Sequence, residues 1–134
     1  MREHDMYLQI ADYLRYKYPK VIYRFDLAAD LKLSIGQAKK HKRLQVRRGY
    51  PDLFIAEPRT VLEDDGERHT YCGLFLELKK PGVKIYTQKG ELVANEHIRE
   101  QAEMLEQLRH RDYKAEFVCG FDEATNVIDK YLTK

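Results

Sequence analysis

The chain has 134 residues, 43% of them hydrophobic and 34% charged, with a formal net charge of +2. That length suits one domain, 1–134, with a real core, and the near balance of charge leaves any attraction to nucleic acid to local clustering. No apolar run approaches the ~20 residues of a membrane span and the charged start is unlike a secretory leader, so a soluble, cytoplasmic protein with no membrane partner is expected.

Residues from about Arg2 to Lys17 read as a helix, with Met6, Ile10, Tyr13 and Leu14 at helical spacing and Tyr7 on the flank. Glu3 lies one turn before Met6 and Tyr7, over the same inward face. By itself it reads as an acid suited to a helix N-terminus. Tyr18-Pro19 stops the helix, and Val21 to Phe25 reads as a strand. After a short irregular stretch, Ser34-Ile35-Gly36-Gln37 has the form of a capping box opening a helix to about Val46. Lys39, Lys40, Lys42, Arg43, Arg47 and Arg48 fall within ten positions that contain no acid. This is the one strongly biased segment, and it points to phosphate-backbone contact. No aromatic is interleaved with it, which speaks against base stacking by this run.

Gly49 to Lys80 is the stretch around which the rest is organised. It opens Gly49-Tyr50-Pro51-Asp52-Leu53-Phe54-Ile55 and closes Gly73-Leu74-Phe75-Leu76-Glu77-Leu78-Lys79-Lys80. The first apolar run reads as a strand from Asp52 to about Glu57, ended by Pro58. A polar turn, Glu63 to His69, leads to another strand at about Tyr71 to Lys79. Glu77 and Lys79, two apart on a strand, project to one face. If the two runs pair antiparallel, Asp52 converges on them. Two carboxylates and an ammonium on one sheet face suit a divalent cation and a phosphate.

Pro81-Gly82 breaks the strand, and Lys84 to Thr87 with Glu91 to Val93 read as a small hairpin or flap. Asn95 is a reasonable N-cap for a helix to about His110 with an inward stripe of Ile98, Gln101, Leu105 and Leu108. A glutamine on that stripe either marks the rim of the core or finds a partner on the sheet below. Tyr113 to Cys119 reads as a strand, and Asp122 as the cap of a last helix. The fold class is therefore α/β, a mixed central sheet flanked by helices, in the order α-β-α-β-β-(hairpin)-α-β-α.

Other chemistries fit less well. The five histidines show no HxxxH pairing, the single serine is better used as a helix cap, and no phosphate-cradling glycine loop or nucleotide-cofactor motif is present. Cys72 and Cys119 lack CxxC spacing and read as buried free thiols of a reducing compartment. A glycosidase-like pair of Asp52 and Glu77 would leave Lys79 and the basic helix unused. Metal-dependent phosphodiester hydrolysis uses them all.

Pro51-Asp52, then Glu77-Leu78-Lys79 after 25 positions, looks like the PD-(D/E)xK nuclease signature. Adding Glu3-His4-Asp5, Gln101 and the strand ending Val118-Cys119-Gly120-Phe121-Asp122, the whole chain resembles the stand-alone VRR-NUC domains of phages and prophages. The resemblance implies a restriction-endonuclease-like core and Mg²⁺- or Mn²⁺-dependent DNA cleavage. It implies a homodimer similar to Holliday-junction resolvases, acting on branched DNA such as a four-way junction. Carried over, Asp52 and Glu77 are metal ligands, helped by the Leu78 backbone carbonyl and by Glu3. Lys79 positions or deprotonates water or stabilises charge, and Gln101 joins the site. Tyr7 departs from the pattern, which has a glutamine one turn after the acid of the first helix. The alternatives are a flap, nicking or less selective nuclease, and a catalytically silent DNA-binding module.

Overall fold

Helix α1 (Glu3–Lys17) buries Met6, Tyr7, Ile10 and Leu14, positions that a 3.6-residue period brings to one face. This is a computed structural model, and it describes residues 2–26 and 32–133. Part of the irregular stretch expected before the second helix therefore lies outside the described residues. Strands β1 (Tyr23–Phe25), β2 (Leu53–Ile55), β5 (Leu74–Lys79) and β6 (Lys114–Cys119) form one sheet in the order β1-β2-β5-β6. The first three run antiparallel to their neighbours and β6 pairs parallel to β5, which makes the expected mixed sheet.

Alternation along β5 sorts its side chains between two cores. Leu74, Leu76 and Leu78 join Leu53, Ile55 and Val118 beneath α1 and α4 (Gly120–Leu132). Phe75 faces the other way, toward Leu105 of α3 (Glu96–Arg109) and Ala115 of β6. Glu77 and Lys79 follow Phe75 onto the α3 face. Residues 74–78 are buried without a break, which is how a central strand covered on both sides reads.

Between these elements, β3 (Arg59–Leu62) and β4 (Arg68–Tyr71) form a separate hairpin closed by Glu63–Glu67. The single strand expected over Tyr71 to Lys79 is thus two strands. The break falls at Cys72-Gly73, where a Cβ on Gly73 would lie 2.9 Å from the Phe54 ring and 3.0 Å from the Ile55 carbonyl oxygen. Only glycine permits that approach of the chain to β2. Cys72 is exposed and Cys119 only partly buried, both as free thiols, so the expectation of buried thiols holds for neither.

Helix α2 (Ile35–Arg43) starts from the expected capping box of Ser34 and Gln37, but ends at Arg43 rather than near Val46. It buries no residue. With no apolar face to dock, nothing extends it beyond the last capped turn. The Tyr86–Leu92 bridge and the Thr87 N–H to Glu91 carbonyl bond make residues 84–93 a small hairpin. Helix α4 begins at Gly120, directly on β6, so Asp122 sits in its first turn rather than capping it. No helix among the described residues is long and apolar enough to cross a membrane.

Helices α1 and α4 are tied by one acceptor. Asp129 takes hydrogen bonds of 2.7 Å from the hydroxyls of Tyr13 and Tyr18, with the Lys17 ammonium at 3.1 Å. Burial pushes its carboxyl up, but these three donors together outweigh burial and hold it below the usual carboxylate range. A lowered native pKa stabilises above the ordinary carboxylate pKa and is lost as pH falls through the native value. Asp129→Ala should therefore lower the unfolding free energy by about 1–3 kcal/mol near neutral pH, with a smaller deficit in acid. Urea denaturation at the two pH values checks this, and an equal deficit at both would contradict it.

Candidate active site

The tight turn before β2 places the first carboxylate. Gly49 has φ +88°, and a Cβ there would lie 2.9 Å from the Glu100 carbonyl oxygen and 3.1 Å from the Gln101 nitrogen of α3. Gly49 thus lets the turn press against the helix backbone beside Gln101. Pro51 follows, fully buried, and Asp52 emerges at the head of β2, only 3% exposed.

The ladder does the rest. Leu53 pairs with Leu76 and Phe54 with Phe75, so one step further along the same register Asp52 stands opposite Glu77. The β2–β5 ladder ends at Leu53, and the Asp52 backbone carbonyl accepts instead from the Asp26 N–H at 2.7 Å. Toward β5 the Asp52 carboxylate takes its place: Oδ2 accepts the Leu78 N–H at 2.8 Å. Glu77, also 3% exposed, accepts at Oε1 from the Gln101 side-chain amide at 2.7 Å. The Lys79 ammonium lies 4.0 Å from the same oxygen. Antiparallel pairing thus brings Asp52, Glu77 and Lys79 together as the sequence suggested, and Gln101 is buried against Glu77 rather than at a core rim.

Three polar atoms at this spot are buried without a hydrogen-bond partner: Glu77 Oε2, Gln101 Oε1 and the Tyr7 hydroxyl. Buried polar groups are rarely left so. Tyr7 stacks on Phe25 with ring centroids 5.5 Å apart. Its hydroxyl is near enough to Asp52 that burial and that carboxylate together push its ionisation far up, although the two make no well-formed bond. Burial also raises both carboxyls, and in Glu77 the negative charge of Asp52 raises it further. Two carboxylates this close and this dry resist ionising together, and the Lys79 ammonium offsets this only in part, so the pair keeps a proton above the ordinary carboxylate range.

The donor set fits a hard divalent cation. Two carboxylates, an unpartnered carboxylate oxygen and room for water are what Mg²⁺ takes, since it keeps several waters and uses one or two carboxylates. Glu3 lines the same cleft of about 460 Å³. Among the described residues, however, no three His, Cys, Asp or Glu side chains gather closely enough to hold a metal as a group.

Lys39, Lys40, Lys42, Arg43, Arg47 and Arg48 are all exposed, and of these Arg48 lines the cleft. His97 was not anticipated. It sits at the cleft mouth, its Nε2 3.2 Å from the Gln101 amide nitrogen, which it accepts from when the ring proton is on Nδ1. Its position four residues before Gln101 on one helix was the available signal.

No family model matches the sequence, and no curated relative does. Among solved structures, a chain described as a VRR_NUC domain protein superposes with a TM-score of 0.63 at 26% identity. The match covers 98% of this chain and 88% of that one. The architecture is accordingly a VRR-NUC nuclease fold with a restriction-endonuclease-like core.

A carboxyl raised in the folded state stabilises below its ordinary pKa, and that contribution is lost as pH rises toward the native value. In chelator, thermal stability should therefore fall from the acid side of neutrality upward. Glu77→Gln, neutral and isosteric, should be more stable than the parent at about pH 8 and close to it at about pH 4. Melting curves across that range check this. A Glu77→Gln protein less stable at both ends would contradict it.

Proposed function

We propose that this VRR-NUC-type nuclease fold hydrolyses DNA phosphodiester bonds with Mg²⁺ or Mn²⁺, acting as a homodimer on branched DNA such as a four-way junction. The observation that carries the reading is the buried Asp52–Glu77 pair, flanked by Lys79 and Gln101, at the base of a cleft next to an acid-free basic segment. Asp52 and Glu77 would hold the cation, joined by the Leu78 backbone carbonyl and by Glu3 from the cleft wall. When bound, the ion supplies Lewis-acid polarisation of a phosphate oxygen and a more acidic water.

The side chains divide the remaining work. The Leu78 N–H fixes Asp52 and the Gln101 amide fixes Glu77, so both carboxylates are oriented before substrate arrives. Lys79 would meet the attacking water or the charge that develops on the phosphate oxygens, as base or as charge stabiliser. Lys39, Lys40, Lys42, Arg43, Arg47 and Arg48 would bind phosphates without regard to sequence, an attraction that salt weakens. A two-fold dimer would offer two such clefts to a junction with matching symmetry, giving paired nicks.

The test is cleavage of an end-labelled synthetic four-way junction with Mg²⁺ or Mn²⁺ and with EDTA, beside linear duplex, flap and single strand. Symmetrical, metal-dependent nicks confined to the junction and reduced at least ~10²-fold in Glu77→Ala are expected. Equal cleavage of every substrate would remove the junction preference. Metal-dependent cleavage of none of them would leave a silent DNA-binding module.

A further inference from the structure

The catalytic cleft opens on one side into a second groove of about 500 Å³. Asp26, His41, Gln45 and Tyr50 line both, so they form one continuous surface. The groove has a different chemistry from the cleft. It is lined by Tyr50, Phe54 and the buried Pro51, with Arg24 among them and the exposed Leu44 and Val46 at its rim.

The sheet explains why this lining is open. Arg24 and Phe54 are cross-strand partners on the α3 face of the sheet. The cluster under α3 is built on Phe75, Leu105 and Ala115, toward the β5–β6 side, with Phe54 only partly buried against it. Phe54 stacks on Phe75 with centroids 4.4 Å apart and planes 18° from parallel, and Tyr50 meets Phe75 edge-on at 5.7 Å. These rings are held by the core while Tyr50 remains 43% exposed. The result is a stiff aromatic surface that loses little side-chain freedom on binding a flat partner.

The rim is equally telling. Leu44 and Val46 are 76% and 86% exposed, amid the six basic residues. Contact with phosphates alone has no use for them. An apolar, aromatic recess with an arginine beside it and cations along its edge matches a ligand with a flat hydrophobic face and a polyanionic backbone. The basic run contains no aromatics, but the fold supplies them from the β2 side of the groove.

We propose that this groove seats an unpaired nucleobase next to the phosphate held at Asp52, Glu77 and Lys79, so that the site selects DNA strands that are frayed or branched. The inference deepens the nuclease reading and rests on it. A base inside intact duplex is stacked on both faces and cannot lie on Tyr50 and Phe54. A base at a fork can, and so can one beside a junction crossover whose pair has opened, with Arg24 and Arg48 near its flanking phosphates. Selectivity for branched DNA then needs no additional domain.

The experiment measures binding in EDTA, where cleavage does not interfere, using a fork carrying 2-aminopurine at its first unpaired position and the matching linear duplex. Tyr50→Ala should weaken fork binding about five- to hundred-fold, leave duplex binding unchanged and abolish the 2-aminopurine response. Tyr50→Phe, which keeps the ring, should retain all three properties. The surface double variant Leu44→Ser/Val46→Ser, which removes nothing from the core, should also lose fork preference. Equal effects on fork and duplex, or none, would overturn the proposal. So would a change of oligomeric state in the double variant with fork preference intact, which would make the rim a protein interface. Metal-dependent cleavage by the parent is scored separately. Fork-selective binding without any cleavage would sink the nuclease reading and support the groove, whereas cleavage without fork preference would do the reverse.

Discussion

Two carboxylates facing each other in a dry site repel, and the protein that buries them must either keep a proton between them or accept a cation. Asp52 and Glu77 are in this position, each almost fully removed from solvent. Much of the surrounding structure serves to hold them there. Gly49 lets the turn before β2 lie against the backbone of α3, β2 stops one residue short so that a carboxylate replaces a strand carbonyl, and Gln101 reaches across from α3. The unpartnered oxygens of Glu77 and Gln101 and the idle Tyr7 hydroxyl are further costs at the same point. Clustering of unsatisfied groups in one cleft is the pattern of a binding site rather than of a core.

The parts that were legible in the sequence are those governed by local rules. The two-residue period of β5 put Glu77 and Lys79 on one face, and antiparallel pairing of two apolar runs predicted the convergence of Asp52. Gln101 was visible as the one polar group on a stripe of helical period. The β3–β4 hairpin was missed in part because Tyr71 and Leu74 read as one apolar run. The interruption at Gly73 depends on where Phe54 and Ile55 lie, which no local pattern contains. The end of α2 and the exposure of Cys72 were likewise set by the absence of a tertiary partner rather than by propensity.

Tyr7 and His97 show a different limit. The sequence places Tyr7 on the flank of the α1 stripe and as a departure from the resembled pattern; in the fold it packs on Phe25 with its hydroxyl beside Asp52. His97 sits one turn before Gln101 and shares its amide. The Tyr7 role arises from separate elements meeting at the end of the sheet, whereas His97 meets Gln101 within one turn of α3. The groove beside the cleft depends on the same kind of meeting: Arg24 is distant in sequence from Val46, Tyr50 and Phe54 and joins their wall only after β1 pairs with β2.

The most direct test of the carboxylate pair is calorimetric titration of Mn²⁺ into the protein near neutral pH, repeated in buffers of different ionisation enthalpy to count protons. If the pair keeps a proton until a cation replaces it, binding should release about one proton, and Glu77→Gln should bind far more weakly. Tight binding with no proton released, or unaltered binding by Glu77→Gln, would show that the two carboxylates are not the cation site.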